Sequence, residues 1–156
     1  MSEALAVEGL AEMQSSDLTR EKLEELKQRV VEDVASRRAV ASFAAELAER
    51  APKLRSAEKI QETYFLLGSL QWALSRFSQA AEAFSQVKRS DLARELEAES
   101  RLASGGYAEA LKLYDRLADK HPCVEYDIGR VTCLRGLGNM EEADNLLESF
   151  KKKYRD

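Results

Sequence analysis

The chain has 156 residues, with 24 Lys+Arg against 28 Asp+Glu, one His and two Cys. That length suits one domain, since domains cluster near ~100–150 residues, and 44% apolar with 33% charged residues marks a folded chain, not a disordered one. A net charge of −4 with both signs intermixed lacks the footprint of a nucleic-acid binder, and Cys123 and Cys133 support neither a disulfide framework nor a zinc site.

The first residues, Met-Ser-Glu-Ala-Leu-Ala-Val-Glu, hold no basic stretch and no long apolar run, so they do not read as a secretory signal. Residues 1–18 form a flexible arm or a short amphipathic helix carrying Ala4, Leu5, Val7, Leu10 and Met13. Thr19 then caps a helix, with Leu18 and Leu23 at hydrophobic-staple spacing. Leu23, Leu26, Val30 and Val34 recur at helical period and predict one buried stripe. Arg37 and Arg38 interrupt it. Val40, Phe43, Ala44, Leu47 and Ala48 make a second stripe, which ends at Pro52. Residues 19–52 thus read as a helical pair, or as one long bent helix, because no Gly or Pro marks the join.

A connector over Pro52–Ala57 leads to a helix from about Glu58 to Ser75. Its middle, from Tyr64 to Leu74, is apolar on nearly every face, the mark of a helix packed on several sides. Gly68, Ser69 and Gln71 leave that window too short and too polar to span a bilayer, so membrane insertion is not expected. Further helices are predicted over 77–88, 91–104, 107–119, 124–137 and 139–153. Gly, Asn and Pro stop signals and short polar turns separate them, at Ser75-Arg76, Lys88-Arg89-Ser90, Gly105-Gly106, His121-Pro122 and Gly138-Asn139. No period-two run of β-branched residues is sustained, and the class is all-α with about eight helices.

Residues suited to catalysis are sparse. His121 precedes Pro122 at a helix end, where a cation complements the dipole, and it lacks the constellation of a general base. Cys123 and Cys133 read as small packing residues. Gly105-Gly106 is a turn, because no Gly-Lys-Ser/Thr follows it. The carboxylates lie among Lys and Arg on solvated faces. The expectation is a protein that is not an enzyme, with no metal and no cofactor. Two thiols outside any disulfide framework suit a cytoplasmic location.

Three segments align without gaps: Phe77 to Phe84, Tyr107 to Tyr114 and Met140 to Leu147. Each sets a bulky residue at the helix start, Ala80, Ala110 or Ala143 three positions on, and a bulky residue four beyond that. A small side chain there lets the preceding antiparallel helix approach, and its large neighbours lock into it. With Tyr64-x-x-Leu67-Gly68-x-x-Gln71 ahead of Ala80-x-x-x-Phe84, the chain resembles the tetratricopeptide repeat family of helical hairpins, in about three degenerate repeats. The second unit keeps Gly105, Tyr107, Ala110, Tyr114 and Pro122, and the third keeps Gly138, Ala143 and Leu147. Their first helices depart from the pattern, with Arg94, Glu97 and Ala98, and then Asp127, Arg130 and Val131, where Trp, Leu and Gly are usual.

The resemblance implies a right-handed superhelical stack over 58–156, with 19–52 as a further degenerate repeat. It also implies a concave groove lined by the first helix of each pair. Carried over residue by residue, that lining is Phe65, Ser69, Trp72 and Ala73, then Leu92, Glu95, Glu99 and Leu102, then Ile128, Thr132 and Arg135. Trp and Arg are frequent interface anchors. The N-terminal helices are the alternative cover for Phe65 and Trp72. Relatives that clamp the C-terminal carboxylate of heat-shock chaperones use Lys, Asn and Arg where this chain has Phe65, Ser69, Leu96, Glu125 and Gly129, so that route is not implied. A second surface is the last helix, where Leu146, Phe150 and Tyr154 mark a partner or homodimer contact; Lys151–Lys153 read as its cationic terminus. The expected partner is another protein, met through a peptide or helix segment. The alternatives are a chaperone of the type III secretion kind and a self-associating scaffold.

Overall fold

A computed structural model describes residues 13–155; the expected N-terminal arm falls outside them as far as residue 12. Among the described residues there are eight α-helices and no strand: α1 (Arg20–Glu32), α2 (Val34–Arg50), α3 (Ala57–Ala73), α4 (Phe77–Ser85), α5 (Asp91–Ala103), α6 (Tyr107–Lys120), α7 (Val124–Gly136) and α8 (Met140–Lys153). Single 3₁₀ turns at Ser15–Asp17 and Ala51–Lys53 precede α1 and follow α2. The helices form two compact units, one ending at Ala93 and the other starting at Arg94, so the boundary falls in the first turn of α5.

In the first unit the Thr19 hydroxyl accepts the Lys22 N–H at 3.2 Å and starts α1, as the sequence predicts. Leu23, Leu26 and Val30 are buried, but Val34 is 57% exposed. The chain breaks at Asp33, four residues earlier than Arg37. Its backbone is extended, and its carboxylate accepts the Ala35 N–H at 3.2 Å and the Ser36 hydroxyl at 2.6 Å. These bonds satisfy donors that the start of α2 would otherwise leave open. Val34 therefore begins α2 instead of extending the stripe of α1. Arg37 closes the other side of the break by donating from Nε to the Val30 carbonyl at 3.1 Å.

Helix α3 packs against α1, α2 and α4, and every residue from Phe65 to Ala73 is buried. This is the all-round burial its composition calls for. Gly68 admits the Phe84 ring so closely that a Cβ would sit 2.8 Å from it. Phe84 is fully buried and meets Phe65 edge-on at 5.9 Å between ring centroids. Burial of such a side chain contributes roughly 1.5–3 kcal/mol, and an edge-on ring pair adds about 0.5–1.5 kcal/mol.

The α3–α4 reversal is closed by two backbone bonds, Ser75 N–H to Trp72 O and Arg76 N–H to Gln71 O, both 2.9 Å. That geometry puts Ser75 at φ 59°, in the left-handed region. Gly105 and Gly138 take the same place after α5 and α7, at φ 84° and 82°, with matching bonds from Gly106 to Arg101 O and from Asn139 to Leu134 O. Ala80, Ala110 and Ala143, the small residues of the repeat, are all fully buried.

The second unit is built on the remainder of α5 with α6, α7 and α8. Ala98, Ala110, Leu113, Tyr114, Leu117, Tyr126 and Cys133 form its main core, and Val131, Leu134 and Ala143 form a smaller one under α8. Helices α6 and α7 approach closely through two ring-on-glycine contacts, Tyr114 on Gly129 and Tyr107 on Gly136.

Candidate functional site

A groove of about 620 Å³ opens in the first unit. One wall is the outward face of α3, where Ala57, Gln61, Glu62 and Phe65 fall at helical spacing. The 3₁₀ turn adds Ser15 and Ser16, followed by Leu18, and the α4–α5 connection adds Val87 to Ser90 with Leu92 beyond it. Leu18, Phe65, Val87 and Leu92 give an apolar floor, while Glu62, Lys88 and Arg89 stand exposed on the rim.

Gln61 ties the two sides together. Its side-chain amide donates to Gln86 O at 2.8 Å and its oxygen accepts the Lys88 N–H at 2.6 Å. The connection is thereby held to α3 by one residue using a donor and the acceptor. Ser90 continues the rim and accepts the Ala93 N–H at 3.0 Å, capping α5. Pinned this way, the rim holds Lys88 and Arg89 beside an apolar floor on ordered backbone, a pre-formed arrangement of the kind that concave sites use.

The residues expected to line a groove are placed unequally. Phe65 and Leu92 do line this one. Ser69, Trp72 and Ala73 are buried, at 0%, 4% and 1% exposure, and do not line this groove. The covering element is α1, whose Lys27 ammonium lies 4.5 Å from the centre of the Trp72 ring and 5.3 Å from that of Phe77. Contacts of this kind contribute about 0.5–2 kcal/mol, according to how far water is excluded. The Ser69 hydroxyl turns back onto its own helix and donates to Phe65 O at 2.7 Å. The N-terminal helices, which the sequence left as an alternative cover, take Trp72.

In the second unit Glu95, Glu99 and Leu102 are half-buried on α5. Glu95 accepts the Tyr126 hydroxyl at 2.8 Å, and Leu102 packs on the main core. On α7, Ile128, Thr132 and Arg135 share an exposed face, with Ile128 58% accessible. Leu146 and Phe150 of α8 are half-buried against Val131, Leu134 and Ala143, leaving Tyr154 the most open of the three terminal residues.

Sequence reasoning missed Gln61, Val87, Lys88 and Arg89 as groove residues. The connector Lys88-Arg89-Ser90 was visible as a break, but nothing in it announces a glutamine 27 positions earlier as its anchor. Also missed was Asp127, which departs from the repeat pattern and is buried at 1% exposure. Of the thiols, Cys133 is fully buried, and loss of water around it pushes its pKa up to about 11. Cys123 is also raised, first by burial. Both thiols are thus poor nucleophiles at neutral pH. No family model, curated protein or solved structure matches the chain.

Proposed function

We propose that the protein is a non-catalytic helical-repeat module of the tetratricopeptide kind that binds a short apolar segment of another protein in the groove of its first unit. One observation supports this reading above the rest. A groove floored by the largely buried Leu18, Phe65 and Val87 and the half-buried Leu92 lies beside a rim that Gln61 fastens to α3. An apolar anchor entering that floor gains about 25 cal/mol for each Å² withdrawn from water, before the cost of ordering the ligand. Lys88 and Arg89 favour an acidic residue beside the anchor, an effect felt mainly in the association rate.

The test is selection of peptides from a random library on the full chain, followed by calorimetry with variants that keep the core intact. Leu92→Asp is expected to weaken a selected peptide by about 10-fold or more, because it sets a charge against the apolar anchor. Lys88→Glu is expected to slow association and to make it less salt-dependent. A selected peptide that binds both variants as it binds the parent chain excludes this groove.

A further inference from the structure

Helix α7 buries a carboxylate that the groove does not use. Asp127 is 1% exposed, and its two oxygens serve different elements. Oδ1 accepts Arg130 Nη1 at 3.4 Å, one turn along the same helix. Oδ2 accepts Lys153 Nζ at 3.3 Å and the Tyr154 hydroxyl, both from the end of α8. Arg130 reaches on to α6, where its Nε donates to Asp115 Oδ1 at 2.7 Å, and its guanidinium lies 5.7 Å from the centre of the Phe150 ring.

The charges in this cluster balance: Asp115 and Asp127 against Arg130 and Lys153. The geometry does not divide evenly. If the end of α8 lifts, Asp127 loses both contacts to Oδ2 and keeps one contact of 3.4 Å. A buried carboxylate needs partners, so the two contacts on Oδ2 tie the end of α8 to α7. Helix ends otherwise fray readily. The three lysines before Tyr154 would by themselves favour a solvated terminus, yet one of them is turned inward onto Asp127.

We infer that the end of α8 is a charge-operated latch, closed while Lys153 and Tyr154 sit on Asp127 and opened by a negative charge at the Tyr154 phenol position. Closed, it holds Phe150 over Val131 and Leu134. A negative group there replaces a donated proton with a like charge facing a buried carboxylate, and its turning away into solvent draws the last turn of α8 off Asp127. Release uncovers Phe150, which makes the apolar stripe of α8 conditional on charge.

Amide hydrogen exchange on the full chain tests this. In Tyr154→Glu, the amides of Phe150 to Tyr154 are expected to exchange about 10-fold faster than in the parent chain, while Tyr154→Phe, which keeps the Lys153 contact, changes them by less than about 3-fold. In an Asp127→Asn background the Glu substitution is expected to lose its effect, because the facing charge is gone. Equal exchange in the Glu and Phe variants overturns the latch, and so does a Glu effect undiminished by Asp127→Asn. Should Asp127→Asn fail to fold, the two Tyr154 variants decide the matter alone.

Discussion

Helices α3 and α7 each precede a left-handed turn and a repeat helix, yet they solve burial in opposite ways. Helix α3 is closed on all sides by α1, α2 and α4, and nine consecutive residues lie out of water. Helix α7 packs on α6 and α8, spends one buried position on Asp127, and leaves Ile128 in solvent. The first arrangement gains stability from apolar area and has no charge to satisfy. The second ties its neighbours through ions, which add little net stability but fix which groups must meet. The repeat pattern therefore sets where helices begin and turn, and the interior it encloses is free to be apolar or ionic.

The sharpest way to break the comparison is to hollow α3. Leu70 is fully buried, and Leu70→Ala is expected to lower the free energy of unfolding by about 2–5 kcal/mol, read from denaturant midpoints at unchanged slope. Next is the Cys133 thiol of α7. Its folded pKa lies near 11 against an ordinary 9.0, so its contribution is full below pH 9 and is lost as pH rises toward 11. That loss amounts to about 2–3 kcal/mol. Unfolding curves at pH 8 and 11 for the parent chain and for Cys133→Ala measure it as the difference in pH dependence.

A smaller effect, of opposite sign, lies at Ser75. This residue holds a left-handed φ without being glycine, so Ser75→Gly is expected to raise stability by about 0.5–1 kcal/mol, and Gly138→Ala to lower it by about 1 kcal/mol. Thermal melts of the two variants test the shared turn directly. Last comes the cap of α1, where Thr19→Ala is expected to cost about 1 kcal/mol, seen as faster exchange of the first amides of that helix.

Much of the fold was legible because helix boundaries are local chemistry. The predicted starts at Thr19, Phe77, Asp91, Tyr107 and Val124 stand within a residue of the observed helices, since caps and turns sit within a few residues of what they stop. The three repeat alanines were legible for the same reason: a small residue flanked at fixed spacing by large ones has few places to go but a helix contact. The break at Asp33 was hidden because Val34 continues the period of Leu23, Leu26 and Val30, and periodicity alone cannot tell a residue that extends a helix from one that opens the next. An Asp followed three positions later by Ser was the signal that marked it.

The candidate groove was less legible. Its lining was carried over from a pattern that assumes nothing covers α3, and whether α1 does so depends on contacts distant in sequence, such as Lys27 with Trp72. Phe65, midway along α3, stays at the groove because it shares a face with Gln61 beside the 3₁₀ turn. Trp72, seven residues on, lies under α1. Asp127 reads from sequence as a solvated charge, because the groups that make its burial tolerable arrive 26 and 27 residues later.

The three chain reversals at residues 75, 105 and 138 are each closed by main-chain bonds. In each, one residue is restricted by the sign of its backbone angle. A chain written this way can drift at its turns while keeping every hairpin, and relatives would be hard to find by matching letters there. Whatever common ancestry the hairpins have would then survive in the spacing of left-handed residues long after it has left the alphabet.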